Sequence, residues 1–102
     1  MKVEDAIRRI NSLCRSGRAV TEGRRIGHRT GKVFIETGAV QRGVVSCPQC
    51  GALMGMGTVT VRHDDGRSVS FNPRLFHYVD AGHKLSARDV NAAKLTAIMG
   101  DA

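Results

Sequence analysis

The feature that most constrains this chain is the pentapeptide Cys47-Pro48-Gln49-Cys50-Gly51. Two thiols two residues apart can work as a redox pair, close a small disulfide, or present two thiolates to one metal ion. A thioredoxin-type redox pair needs its second cysteine at the start of a helix within a βαβ unit. Here Gly51, Gly55 and Gly57 follow, and glycine disfavours a helix. Met1 opens into an acidic segment, Glu4-Asp5, rather than a basic, apolar leader, so the expected compartment is a reducing cytoplasm. Disulfides are rare there, and the 3 cysteines of this chain cannot all pair with one another. Metal binding is therefore the leading reading, with a redox pair and an incidental spacing as the alternatives. Gly51 suits it, because a residue without Cβ can turn sharply behind the second ligand.

A structural zinc site takes four protein ligands, so two more are needed. The candidates are Cys14, His28, His63, His77 and His83. Cys14 falls on the apolar face of a helix, where an inert buried thiol is usual. His28 sits in the basic stretch Arg24-Arg25-Ile26-Gly27-His28-Arg29 and is expected in solvent or facing a partner. His63 lies beside a hairpin turn and is expected at an exposed strand end. His77 and His83 remain, near the histidine spacing of zinc fingers. On an unbroken helix these two would be separated by about 600° of rotation and about 9 Å of rise, too far round to share an ion. The pair works only if the helix stops near Ala81-Gly82 and the chain folds back, and Gly82 supplies that break. The expected set is one structural Zn2+ held by Cys47, Cys50, His77 and His83. Cys14, His28 or His63 replacing one of them stays open, as does a satisfied core role for His77.

Proline after the first cysteine and glycine after the second resemble the knuckle of zinc ribbons and treble-clef fingers. Over residues 44–84, the order knuckle, β-hairpin, short helix, two histidines resembles a treble-clef or ββα-type zinc finger. That resemblance implies a closed, structural site without an open position for water. The segment between Cys50 and His77 is much longer than in a Cys2His2 nucleic-acid finger, so the reading-helix role of such fingers is not carried over.

Around this motif the expected architecture is α+β: an N-terminal helix, a small antiparallel β-sheet with the knuckle and a β-hairpin, and two C-terminal helices. At 102 residues it fits a single domain spanning 1–102. Val3, Ala6, Ile7, Ile10, Leu13 and Cys14 recur at three- and four-residue steps, predicting an amphipathic helix over 3–14 that stops at Ser16-Gly17. Short β-favouring runs follow, Ala19-Val20-Thr21, Val33-Phe34-Ile35 and Val44-Val45, between turns at Gly23, Gly31, Gly38 and Gly43. Residues 52–57 read as a loose segment. Thr58 to Phe71 reads as a hairpin: Val59, Val61, Val69 and Phe71 share one face, Thr60, Arg62, Ser68 and Ser70 the other, and Asp64-Asp65-Gly66 turns it. Asn72 caps a helix with Pro73 at its first position, running to about Ala81. The last helix is predicted over Ala87–Met99, capped by Ser86 with Asp89 closing a capping box and Leu85 stapled on Val90. With few aromatics, Met54, Met56 and Met99 are expected to fill gaps in the core.

Charge bears on partners. Lys and Arg number 16 against 9 Asp and Glu, a formal net charge of +7. Half of those bases, Arg8, Arg9, Arg15, Arg18, Arg24, Arg25, Arg29 and Lys32, fall between Ala6 and Lys32, where Glu22 is the only acid. Arginine's planar fork suits phosphate and carboxylate, and interleaved glycines allow close backbone approach. Interleaved aromatics are missing, which argues against base stacking on single strands. The expected function is a small basic zinc-binding regulatory or accessory protein that contacts nucleic acid, duplex DNA or structured RNA, mainly through phosphates. A protein-interaction module docking on an acidic protein surface is the alternative, and a small metal-dependent hydrolase or nuclease the third. No run of 18 apolar residues is present, so no membrane span is expected.

Overall fold

A computed structural model describes residues 1–37, 44–55, 57–85 and 91–102. Helix α1 (Val3–Ser16) forms as its periodicity dictates. Ala6, Ile7 and Ile10 are fully buried, Glu4 and Asp5 lie in the first turn and Arg15 in the last, the arrangement the helix dipole favours. The helix stops at Gly17, whose N–H donates to the Leu13 carbonyl at 2.8 Å.

Seven strands follow: β1 (Val20–Glu22), β2 (Arg25–Thr30), β3 (Val33–Glu36), β4 (Val44–Ser46), β5 (Leu53–Gly55), β6 (Val59–His63) and β7 (Ser68–Phe71). Five make one antiparallel sheet in the order β1-β2-β3-β6-β7, while β4 and β5 pair as a separate two-stranded ribbon. The predicted hairpin is present in the expected register, Val59 opposite Phe71 and Val61 opposite Val69. Strand β2 was not foreseen. Residues 25–30 fall in the basic stretch, where Gly27 with Arg25, His28, Arg29 and Thr30 leaves no apolar alternation. Its place comes from non-local pairing with β3, Gly27 opposite Glu36 and Arg29 opposite Phe34. Gly27 is required by crowding: a Cβ there would come within 1.9 Å of the Ile35 carbonyl oxygen. Strand β5 likewise replaces part of the expected loose segment; its partner β4 supplies the hydrogen bonds that its glycines do not forbid.

Helix α2 (Arg74–Asp80) starts after Asn72-Pro73, with the Arg74 N–H donated to Asn72 Oδ1 at 2.9 Å. Helix α3 (Ala92–Gly100) is capped by Asn91, whose side chain accepts from the Lys94 N–H. The capping predicted at Ser86, Asp89 and Val90 lies outside the described residues, as do the turns at Gly38 and Gly43 and the filler Met56.

Three helices share the inner side of the five-stranded sheet. Ile7, Ile10, Val33, Ile35, Val61, Leu75, Leu95, Ile98 and Met99, each at 1% exposure or less, join one hydrophobic cluster that also takes Val59, Val69, Phe71 and Met54. Full burial of such side chains stabilises by roughly 1.5–3 kcal/mol each before entropy is charged against it. Among the described residues no helix is long and apolar enough to cross a membrane.

Candidate metal centre

The ribbon turn between β4 and β5 is closed from within. The Cys47 N–H donates to the Ala52 carbonyl at 2.7 Å, and the Gly51 N–H to the Cys47 carbonyl at 2.8 Å. Gly51 takes φ +77°, a left-handed value that costs a side chain-bearing residue about 1–2 kcal/mol. Both sulfurs consequently emerge on one side of the turn, Cys47 buried and Cys50 exposed. Burial pushes the Cys47 thiol up, but the amides of Gln49 and Cys50 and the Cys50 side chain outweigh it and hold it below its ordinary value. The same amides would stabilise a metal-bound thiolate.

The other half of the centre comes from the end of α2, where the chain does fold back. Gly82 adopts φ +74°. Its N–H donates to Val79 and the next N–H, of His83, reaches back to the Tyr78 carbonyl at 2.8 Å, the pairing of a Schellman motif. The reversal brings the rings of His77 and His83 to 5.3 Å between centroids. One donor atom from each of Cys47, Cys50, His77 and His83 lies within 4.8 Å of all the others, so the four could hold a metal ion. Cys50 Sγ and His77 Nε2 are already 3.3 Å apart. His83 Nε2 is buried and has no hydrogen-bond partner. An orphaned buried nitrogen is costly, and an ion at the centre of the cluster would use its lone pair.

Comparison of the chain with protein-family models, with curated proteins and with solved structures finds no match.

The remaining candidates fall elsewhere. Cys14 is half-buried against the core, and burial pushes its thiol up, as its place on the apolar helix face implied. His28, expected in solvent, is buried at 8% exposure on the inner side of β2, with Nδ1 unpartnered. The pleat decides this: His28 pairs with Ile35, which faces the helices. His63 is not an exposed strand end either. Its side chain is 7% exposed, accepts the Asp65 N–H at Nδ1 and lies 3.1 Å from the Asp101 carbonyl through Nε2. Asp80, near both histidines in sequence, pairs with Arg15 at 3.6 Å.

The predicted basic segment is divided by the fold. Arg8, Arg9 and Arg15 lie on the exposed side of α1, on the helical side of the sheet. Arg25 and Arg29 point to the opposite face, because they alternate with His28 along β2. There a cleft of about 410 Å³ is lined by Arg25, Arg29, Arg62, Arg67 and the floor residue Phe34. Its bases are compensated: Arg29 forks onto Glu22 at 2.6 Å and also meets Asp64, Arg62 binds Glu36 at 3.0 Å, and Arg67 is held by Asp65 and Asp101. The sequence reading missed Arg62 and Arg67 as partners in this lattice, although the hairpin alternation had already put Arg62 on the polar face. Arg9, Arg18, Arg24 and Lys32 have no carboxylate partner among the described residues and are exposed.

Proposed function

We propose that Cys47, Cys50, His77 and His83 bind one zinc ion in a closed structural site, within a small basic accessory protein that contacts nucleic acid mainly through phosphates. The observation that carries the first half is the convergence of two sulfurs and two imidazole nitrogens within 4.8 Å from segments 27 and more residues apart. Tetrahedral zinc with Zn–S near 2.3 Å and Zn–N near 2.0–2.1 Å needs donors about 3.3–3.8 Å apart, so the cluster requires only a small contraction. Two thiolates with two imidazoles suit zinc over the harder cations. Four protein donors fill its tetrahedron, which gives the ion a structural role. A cysteine pair on a ribbon turn followed by a histidine pair at a helix end supports the ββα reading, with the β6–β7 hairpin inserted between ribbon and helix.

The second half rests on the +7 charge and on the uncompensated Arg9, Arg18, Arg24 and Lys32. Displacing counterions from a polyanion drives such binding and makes it salt-dependent. Titrating labelled DNA and RNA duplexes across a salt series tests it. Affinity that falls linearly on a log–log salt plot supports the reading; absent or salt-indifferent binding removes it. A protein partner is the second reading, favoured by Leu53, which stands 72% exposed on the ribbon beside the knuckle. Association that survives nuclease treatment and is lost on Leu53→Ser would select it.

A further inference from the structure

The fold leaves one basic element projecting from the sheet. Strands β1 and β2 are joined by Gly23-Arg24, with φ +64° at Gly23 and no positive φ at Arg24, as a type II′ hairpin turn requires. In β2, Gly27 and His28 are buried. Beyond them, Val20, Thr21, Arg24, Arg25 and Ile26 are exposed although they point to both faces of the ribbon. A ribbon wet on both faces extends past the body that supports it. The outer edge of β1 has no strand partner among the described residues.

Charge on this arm is one-sided. Its only carboxylate, Glu22, is held by the Arg29 guanidinium through two contacts of 2.6 Å, which also lowers its pKa. Arg18 and Arg24 carry no such partner, and Arg25 reaches Glu36 only at 3.9 Å. Two apolar side chains accompany them, Val20 at 40% and Ile26 at 52% exposure, which the core does not use.

We infer that the β1–β2 ribbon enters the major groove of duplex DNA, with Arg18, Arg24 and Arg25 on phosphates and base edges and Val20 or Ile26 against thymine methyl groups. The inference rests on the nucleic-acid reading above and narrows it. The major groove of B-DNA is about 12 Å wide and admits a two-stranded β-ribbon, whereas the deep, narrow major groove of A-form RNA does not admit side chains. The α1 arginines, on the other side of the sheet, are not part of this contact.

Fluorescence anisotropy with a mixed-sequence DNA duplex and the matching RNA duplex, over a potassium chloride series, tests it. The protein should bind DNA more tightly than RNA. Arg18→Ala and Arg24→Ala should each flatten the log–log salt slope by about 0.9, while Lys94→Ala, exposed on α3 and outside the proposed contact, leaves it unchanged. Methyl green, which occupies the major groove, should displace the protein, and netropsin, which occupies the minor groove, should not. Binding that keeps its slope in the ribbon variants, or that prefers RNA, or that yields to netropsin alone, overturns the ribbon assignment and leaves the nucleic-acid reading standing. Binding to neither duplex overturns both. All three substitutions are at exposed positions, so unchanged melting temperatures confirm that the fold is not the cause.

Discussion

Two regions of this molecule differ in how much apolar surface they bury. The five-stranded sheet and its helices close over side chains with almost no exposure: Ile7, Ile10, Ile35, Leu95 and Ile98 are each at 0%. The β4–β5 ribbon is only two strands wide, buries Cys47 and Met54, and leaves Val45 and Leu53 at 37% and 72% exposure. Two-stranded hairpins are marginal in water on their own. Helix α2 belongs to both regions, its Leu75, Tyr78 and Val79 packed in the core and its C-terminal turn carrying His77 toward the ribbon. The ribbon and its turn add only Cys47, Met54 and the partly buried Ala52 to the core cluster, and on the reading proposed above an ion completes their docking.

This contrast can be broken in four ways, taken from the largest expected effect. Removing the metal with a strong chelator, or by Cys47→Ser, should abolish amide protection across β4 and β5 while β3, β6 and β7 keep theirs. Zinc contributes an apparent 10–16 kcal/mol, about the range for zinc-finger peptides, to sites of this kind. Hydrogen exchange followed by NMR reads this directly; simultaneous loss in both regions would show that they are not separable. Ile98→Ala, deep in the core, should lower global stability by about 2–5 kcal/mol in urea unfolding. Its zinc content should stay at the wild-type level.

Gly82→Ala should cost about 1–2 kcal/mol through its left-handed φ. Because nothing lies within 4 Å of the added Cβ, the cost is backbone strain rather than crowding. Since that strain acts on the turn presenting His83, metal affinity in a competition titration should fall as well, and an unchanged affinity would detach the turn from the site. Asp5→Ala removes the Arg8–Asp5 pair, in which both side chains are more than half exposed, and one acid from the first turn of α1, and should lower stability in urea unfolding by less than about 1 kcal/mol.

How much of this was legible in the sequence depended on whether the information was local. The 58–71 hairpin followed from strict alternation around Asp64-Asp65-Gly66, and α1 from its three- and four-residue spacing. The fold class followed too. The break at Gly82 was legible because the geometry of a continuous helix made it necessary for His77 and His83 to meet, and the Schellman turn is its physical form. What failed was non-local. Strand β2 exists because β3 pairs with it, and the burial of His28 follows only from that register. The separation of β4–β5 from the main sheet leaves no trace in local periodicity. Nor does the division of the arginines between two faces of the sheet, which a count along the chain presented as one basic patch.

On the reading proposed above, a single ion joins the ribbon to the end of α2. Elemental analysis of protein purified from zinc-replete medium tests it most directly, on the wild type and on Cys47→Ser, Cys50→Ser, His77→Ala and His83→Ala. One zinc per wild-type chain, lost in each variant, is the expected result. A wild type without metal, or variants that retain it, would rule this site out.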